Sequence, residues 1–198
     1  MKLQFLALLG VASVAFASCG AVGTNASPPA PAIASAQVVA QTAAGAYCKQ
    51  TGGEVLLRRP VYGSNSSNLL FLAGERPFCQ YTSKKDGSRI HILLETLYTT
   101  KPSLAALAYI LKPTIGSCGG NPASCYCTLL GGSDQFGGTS GAGGGWYNKN
   151  SVDQTLEACI FPDMSSIDSW GLTYHANGII RGINLQKVMR YKYPGAPG

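Results

Sequence analysis

The apolar residues of this chain fall into three regimes. From Leu3 to Ala17 they run on almost unbroken, interrupted only by Gln4, Gly10 and Ser13. From Gly20 to Ala40 the chain is nearly all Ala, Ser, Pro, Gly and Val, with no charge and few large side chains. From residue 41 onward, short apolar runs of strand and helix type alternate between glycine, asparagine and serine turns. The third regime alone carries enough large apolar side chains to close a core. The second cannot offset its ordering entropy, and its prolines favour extended backbone.

Self-similarity organises the third regime. "CKQTGG" at 48–53 and "CTLLGG" at 127–132 share the form C-x-x-x-G-G, and each is followed, 31 or 32 residues after its cysteine, by Cys79 or Cys159. The spacings between copies, 79 and 80 residues, agree. A period this long exceeds that of solenoid repeats and predicts two tandem copies of one small domain.

In the second copy Asn121 and Pro122 open a helix over about 121–130, and Gly131-Gly132 ends it. The matching helix in the first copy covers about 42–51 and stops at Gly52-Gly53. Strand-type sequence follows at about 54–59 and 71–81, with an Asn/Ser-rich turn at 63–68 between the two, and more weakly at about 134–136 and 156–161. Ser88 and Ser165 read as N-caps of helices over about 89–99 and 166–175, and "LAALAYILK" after Ser103 as one more helix, blocked by Pro113. The fold class expected is α+β: two α-β-β-α modules, 41–113 and 114–193, with a short tail at 194–198.

The cysteines refine this picture. There are seven: Cys19, Cys48, Cys79, Cys118, Cys125, Cys127 and Cys159. A domain duplicated whole keeps its bond within each copy, which predicts Cys48–Cys79 and Cys127–Cys159 and leaves Cys118 and Cys125 to form a third, local bridge. Each loop of about 30 residues closed in this way is worth on the order of 3 to 4 kcal/mol in the chain-entropy picture.

The leader decides localisation. Met1-Lys2, the Leu3 to Ala17 run and the small residues at its end are the parts of an export signal covering 1–18, and the run is shorter than the roughly 20 residues of a membrane span. Ala15-Phe16-Ala17 satisfies ordinary signal peptidase, while Phe16 to Cys19 resembles a bacterial lipobox with Phe16 where leucine is usual. Lipidation of Cys19 leaves an even set of six cysteines. The expectation is therefore a lipoprotein of the cell envelope, held off the membrane by a tether at 19–40; the alternative is a secreted soluble protein.

The motif "NPASCYC" at 121–127, followed by Gly131-Gly132 and "CIFPDMSSIDSW" at 159–170, resembles domain-of-unknown-function family 333, small exported bacterial domains often labelled "putative hemolysin". Asn121, Pro122, Ala123, Ser124, Cys127, Gly131, Gly132, Cys159, Pro162, Asp163, Ser165 and Trp170 carry the resemblance; Met164 stands where the family pattern has glycine, and the insert 133–158 is long for it. In the first copy Cys48, Gly52, Gly53, Cys79 and Asp86-Gly87-Ser88 match. The resemblance implies export and a disulfide-pinned module, with no established activity and no mechanism behind the label.

Charge and composition narrow the function further. Loss of Lys2 with the leader lowers the formal charge from +6 to +5, and the densest basic group, Arg181, Lys187, Arg190 and Lys192, matches no nucleic-acid-binding motif. Neither His91 nor His175 belongs to a metal-ligand spacing, no G-x-S-x-G elbow or phosphate-binding loop occurs, and no cofactor is implied. The expectation is a non-catalytic envelope or cell-surface interaction module of unknown ligand, a protein or a glycan, with Trp146, Tyr147 and Trp170 as candidate contacts. A secreted protease inhibitor displaying the Gly-rich loop 133–150 as bait is the alternative.

Overall fold

The computed structural model describes residues 36–63, 69–114, 116, 118–134 and 144–195. The leader, Cys19 and the tether up to residue 35 lie outside these residues, as do 135–143 of the Gly-rich loop. Residues 36–40, expected to belong to the tether, form a one-turn helix α1 (Ala36–Ala40), whose Val39 and Ala40 pack against the core.

Both C-x-x-x-G-G motifs end a helix as expected. Helix α2 (Ala43–Gln50) is opened by Thr42, whose hydroxyl accepts from the Gly45 N–H, and α5 (Pro122–Leu129) by Asn121, whose Oδ1 accepts from the Ala123 and Ser124 N–H groups. In each motif the first glycine is left-handed, with φ +87° at Gly52 and +84° at Gly131, a conformation that glycine adopts without steric penalty. The second glycine has another reason. A Cβ at Gly132 would sit 2.5 Å from Sγ of Cys159 and 2.9 Å from Sγ of Cys127; one at Gly53 would run into Sγ of Cys79. The missing side chain makes room for the disulfide. Cys48–Cys79, Cys127–Cys159 and Cys118–Cys125 are all formed.

The strands are β1 (Glu54–Tyr62), β2 (Leu70–Phe71), β3 (Arg76–Thr82), β4 (Arg89–Leu93), β5 (Ser133–Asp134), β6 (Gly145–Tyr147), β7 (Thr155–Leu156), β8 (Ala158–Ile160) and β9 (Ser166–Asp168). They form one curled sheet in the order β5-β8-β9-β4-β3-β1-β6-β7, with β2 beside β1 and every pairing antiparallel. Its central row of partners reads Val55, Cys79, Ile92, Ile167, Cys159 and Asp134. To this row each half of the chain supplies three strands, β1-β3-β4 and β5-β8-β9, in the same internal order, and they meet at the Ile92–Ile167 pair.

This corrects the expectation of two tandem modules. The halves join edge to edge and then exchange supports. From the second half, the Asp163 carboxylate and the Ser165 hydroxyl accept from the Leu104 and Ala105 N–H groups at the start of α4 (Leu104–Leu111), which belongs to the first half. In return, α7 (Leu185–Val188) near the C-terminus docks on the first half: the Leu185 N–H donates to the Tyr109 hydroxyl, and the Tyr47 hydroxyl donates to the Val188 carbonyl. Leu185, Val188 and Met189 are buried there, each worth roughly 1.5–3 kcal/mol of transfer free energy.

The helices expected over 89–99 and 166–175 begin later than predicted. Residues 89–93 and 166–168 are strands, followed by α3 (Leu94–Tyr98) and α6 (Ser169–Ala176). Ser88 and Ser165 therefore cap no helix of their own. Each donates its N–H and hydroxyl to the aspartate two residues earlier, Asp86 or Asp163, closing a tight turn into a strand. His91 accordingly lies in β4.

One face of the sheet carries the main core, with both buried disulfides, Ile90, Ile92, Ile167, Leu97, Tyr109, Leu172 and Leu185. The other face holds a smaller cluster of Phe78, Leu93, Trp146, Leu156 and Ala158. His175 is buried in the main core, stacked on Tyr109 at 3.7 Å between ring centroids; burial lowers its pKa to about 4, so it is neutral in the folded state.

The middle of the Asp-x-Ser turn is left-handed in both halves, at Gly87 (φ +71°) and at Met164 (φ +64°). A left-handed side-chain residue costs about 1–2 kcal/mol, while glycine loses an extra ~0.4–1 kcal/mol of chain entropy on folding. Met164 is 51% exposed, so it contributes little packing. Met164→Gly is expected to raise stability by about 0.5–1 kcal/mol in urea unfolding. A loss of stability would show that the Met164 side chain supports the turn.

Candidate functional site

The second face of the sheet carries a polar cluster that leads outward into a cleft. At its base Arg58 of β1 is fully buried, and its guanidinium donates to the carbonyls of Trp146 and Asp153 at 3.0 and 2.9 Å and to the Ser151 hydroxyl at 3.0 Å. Burial depresses its pKa to about 10, against the opposing pull of Asp153 and then Asp168, so it remains charged at neutral pH. Its Nη2 lies 3.1 Å from His91 Nε2. The His91 pKa is lowered, mainly by burial, so the ring is neutral at neutral pH; its Nε2 also lies 2.9 Å from Gln80 Oε1, and its Nδ1 3.4 Å from Asp168 Oδ2. Asp168 in turn caps α6, its Oδ1 accepting from the Gly171 N–H at 2.7 Å. Strands β1, β4 and β9 thus bring together a buried polar cluster of Arg58, His91 and Asp168.

Above it opens a cavity of about 280 Å³ lined by Arg89, His91, Asp153, Thr155, Leu156, Glu157, Asp168, Trp170 and Arg181. Arg89 and Asp153 form a two-pronged ion pair, with Arg89 Nη2 donating to Asp153 Oδ1 at 2.8 Å. Glu157 sits between β7 and β8 and is 8% exposed. Its Oε1 accepts from Asn121 Nδ2 at 2.9 Å and its Oε2 from Trp170 Nε1 at 2.8 Å. Burial first, and then the neighbouring Asp134 carboxylate, push its pKa up to about 7. Two motif residues far apart in the chain, Asn121 and Trp170, are therefore held together by one carboxyl group.

Trp170 is half-buried, its indole N–H fixed by Glu157 and its ring tilted against Tyr174 at 5.7 Å, while Arg181 lies 5.1 Å over the Tyr174 ring. The other two candidate contacts lie elsewhere. Trp146 is 5% exposed and packs against Phe78 in the smaller cluster, so it offers no surface ledge; Tyr147 is half-buried, edge-on to Phe71 at 5.4 Å. The pair anchors the described end of the Gly-rich loop. The rest of the bait-loop expectation falls on residues 135–143, outside the described residues. The basic residues near the C-terminus are also partly engaged: Arg190 stacks on Tyr98 at 4.2 Å, and Lys192 donates to the carbonyls of Gln186 and Lys187.

Sequence reasoning missed Arg58, Arg89, Asp153, Glu157 and Asp168. Glu157 did leave a trace, as a single charge inside the apolar strand sequence "LEACIF", and Arg58 a weaker one, beside Arg59 at the end of "VLLRR". A larger groove of about 570 Å³ runs past Arg76, Glu95, Asp163 and Met164, but its polar groups at the α4 terminus are already occupied by the capping bonds described above. Three disulfides fit an exported protein, and no helix among the described residues is long and apolar enough to cross a membrane. No family model, curated protein or solved structure matches the chain.

The raised Glu157 pKa has a definite sign. The folded state holds this proton up to about pH 7, whereas an ordinary glutamate releases it near 4.5, so the stability contributed is complete below 4.5 and is lost as pH rises through 7. The two buried, neutral histidines act in the opposite direction below about 6.5 and cancel in a comparison of variants. The melting temperature of Glu157→Gln relative to the parent is expected to climb across this window and level off above it. A difference that does not vary with pH would mean that Glu157 is ionised in the folded protein.

Proposed function

We propose that this chain is a non-catalytic, exported interaction module of the cell envelope, anchored by a lipid on Cys19, and that it takes a glycan in the cleft beside Trp170. The observation that carries the reading is the half-exposed Trp170 ring, fixed in place by Glu157 and flanked by Arg89, Arg181, Asp153 and Asp168. An aromatic face covers the apolar side of a sugar ring, and fixed donors and acceptors around it match hydroxyl groups. The charged groups of the cleft support binding rather than turnover, because each is tied into the fold: Arg89 by Asp153, Asp168 by the Gly171 N–H, and Glu157 by Asn121 and Trp170. The anchor rests on the Phe16 to Cys19 motif and the odd cysteine count, and the resemblance to family 333 agrees with export.

Trp170 also serves as the reporter. In a Trp146→Phe background its fluorescence is the sole indole signal, and titration with soluble fragments of envelope glycans is expected to give a saturable change. Trp170→Ala, measured by calorimetry with the same fragments, should weaken binding by about tenfold or more, equivalent to ~1.4 kcal/mol. Unchanged affinity in a folded Trp170→Ala protein, or no saturable response to any glycan fragment, would contradict the proposal.

A further inference from the structure

The three disulfides differ in accessibility. Cys48, Cys79, Cys127 and Cys159 are all 0% exposed, and their bridges lie under Gly53 and Gly132, so that even a methyl group would collide with the sulfurs. Cys118 and Cys125 are both partly exposed. Cys118 lines a separate cavity of about 250 Å³, with Lys112, Pro113, Gly116, Pro122, Tyr126 and Asn177 among others. Lys112 is exposed there, and no acidic residue lines the cavity among the described residues.

We infer that Cys118–Cys125 is a site of thiol–disulfide exchange, open in the folded protein to a small anionic thiol, while the other two bridges are closed to it. Exchange requires in-line approach of a thiolate to one sulfur and departure of the other, so access and the leaving group set the rate. Access is provided by the cavity, and Lys112 attracts an anionic thiolate. The leaving group follows from position. Cys125 lies in the first turns of α5, where the helix N-terminus stabilises a thiolate, whereas Cys118 is on the connecting segment. The incoming thiolate therefore bonds to Sγ of Cys118, the S–S bond breaks, and Cys125 departs with the electron pair and takes a proton from water. A second thiol, as thiolate, attacks the mixed disulfide at the sulfur of the first. Cys118 then leaves as a thiol, and the two donor molecules are released as their own disulfide. Two electrons pass from the donors to the protein bridge.

The fold survives this step because the bridge closes only a seven-residue separation and shares no strand with the central row. The Tyr126 hydroxyl still donates to the Pro113 carbonyl at 3.1 Å and holds the start of the connecting segment on α5. Exchange therefore frees Cys118 from α5, beside the Asn121 cap that holds Glu157 of the glycan cleft.

Reduced glutathione serves as the probe. The native full chain is incubated with increasing glutathione, quenched in acid, alkylated and mapped by peptide mass. Adducts or alkylation are expected at Cys118 and Cys125, at least about tenfold ahead of the four cysteines of the two buried bridges, with the mixed disulfide on Cys118. Two results overturn the inference: no modification without denaturant, or modification of Cys48–Cys79 or Cys127–Cys159 at a similar rate. The double variant Cys118→Ser/Cys125→Ser should remain folded by circular dichroism and form no adduct. Failure of that variant to fold would make the bridge structural and also overturn the inference.

Discussion

The fold depends on two disulfides laid under glycines. In each half, a cysteine on a helix reaches the middle strand of its three-stranded set, and the second glycine of the C-x-x-x-G-G motif clears the space that the sulfurs occupy. Cys79 and Cys159 then stand in one row of the sheet, either side of the Ile92–Ile167 pair. The cross-links fix helix against strand locally. The seam between β4 and β9 makes the two halves one structure.

A seam of one residue pair is short, and its adequacy comes from what surrounds it. A half of this size buries too little apolar area to be secure alone. Here each half covers the other: the Asp163–Ser165 turn caps α4, and α7 returns to Tyr47 and Tyr109. The caps that an isolated module would have to find within itself are supplied from its neighbour. The same interlocking produces the candidate site, since Arg58, Arg89 and His91 come from the first half while Asp153, Glu157, Asp168 and Trp170 come from the second.

What the sequence made legible was local. The repeat, the three pairings and the helices opened by Thr42, Asn121 and Ser103 all depend on residues within a few positions or on a spacing that can be counted. The helix starts at 89 and 166 were misjudged because Ser88 and Ser165 carry the same cap chemistry for a turn as for a helix. Short apolar runs such as "RIHILLETL" do not distinguish a buried strand from a helix without knowledge of the partner. The division into two tandem modules was misjudged for a related reason: periodicity reports duplication and is silent on which edges pair. Of the three candidate aromatics Trp170 lies in the cleft, whereas Trp146 fills the smaller cluster, where the register of β6 against β1 places it. The charged lining of the cleft comes from β4, Asp153, Glu157, the end of β9 and Arg181, and no spacing along the chain announces it.

The central claim is that both halves form one cooperative unit through the β4–β9 seam. Native-state amide hydrogen exchange tests it most directly, because contiguous units that open separately show separate opening free energies. The account predicts that the slowest amides of β3 and β4 and those of β8 and β9 exchange through one global opening, with a common free energy and a common denaturant dependence. Two distinct free energies, with one half opening while the other stays protected, would contradict it.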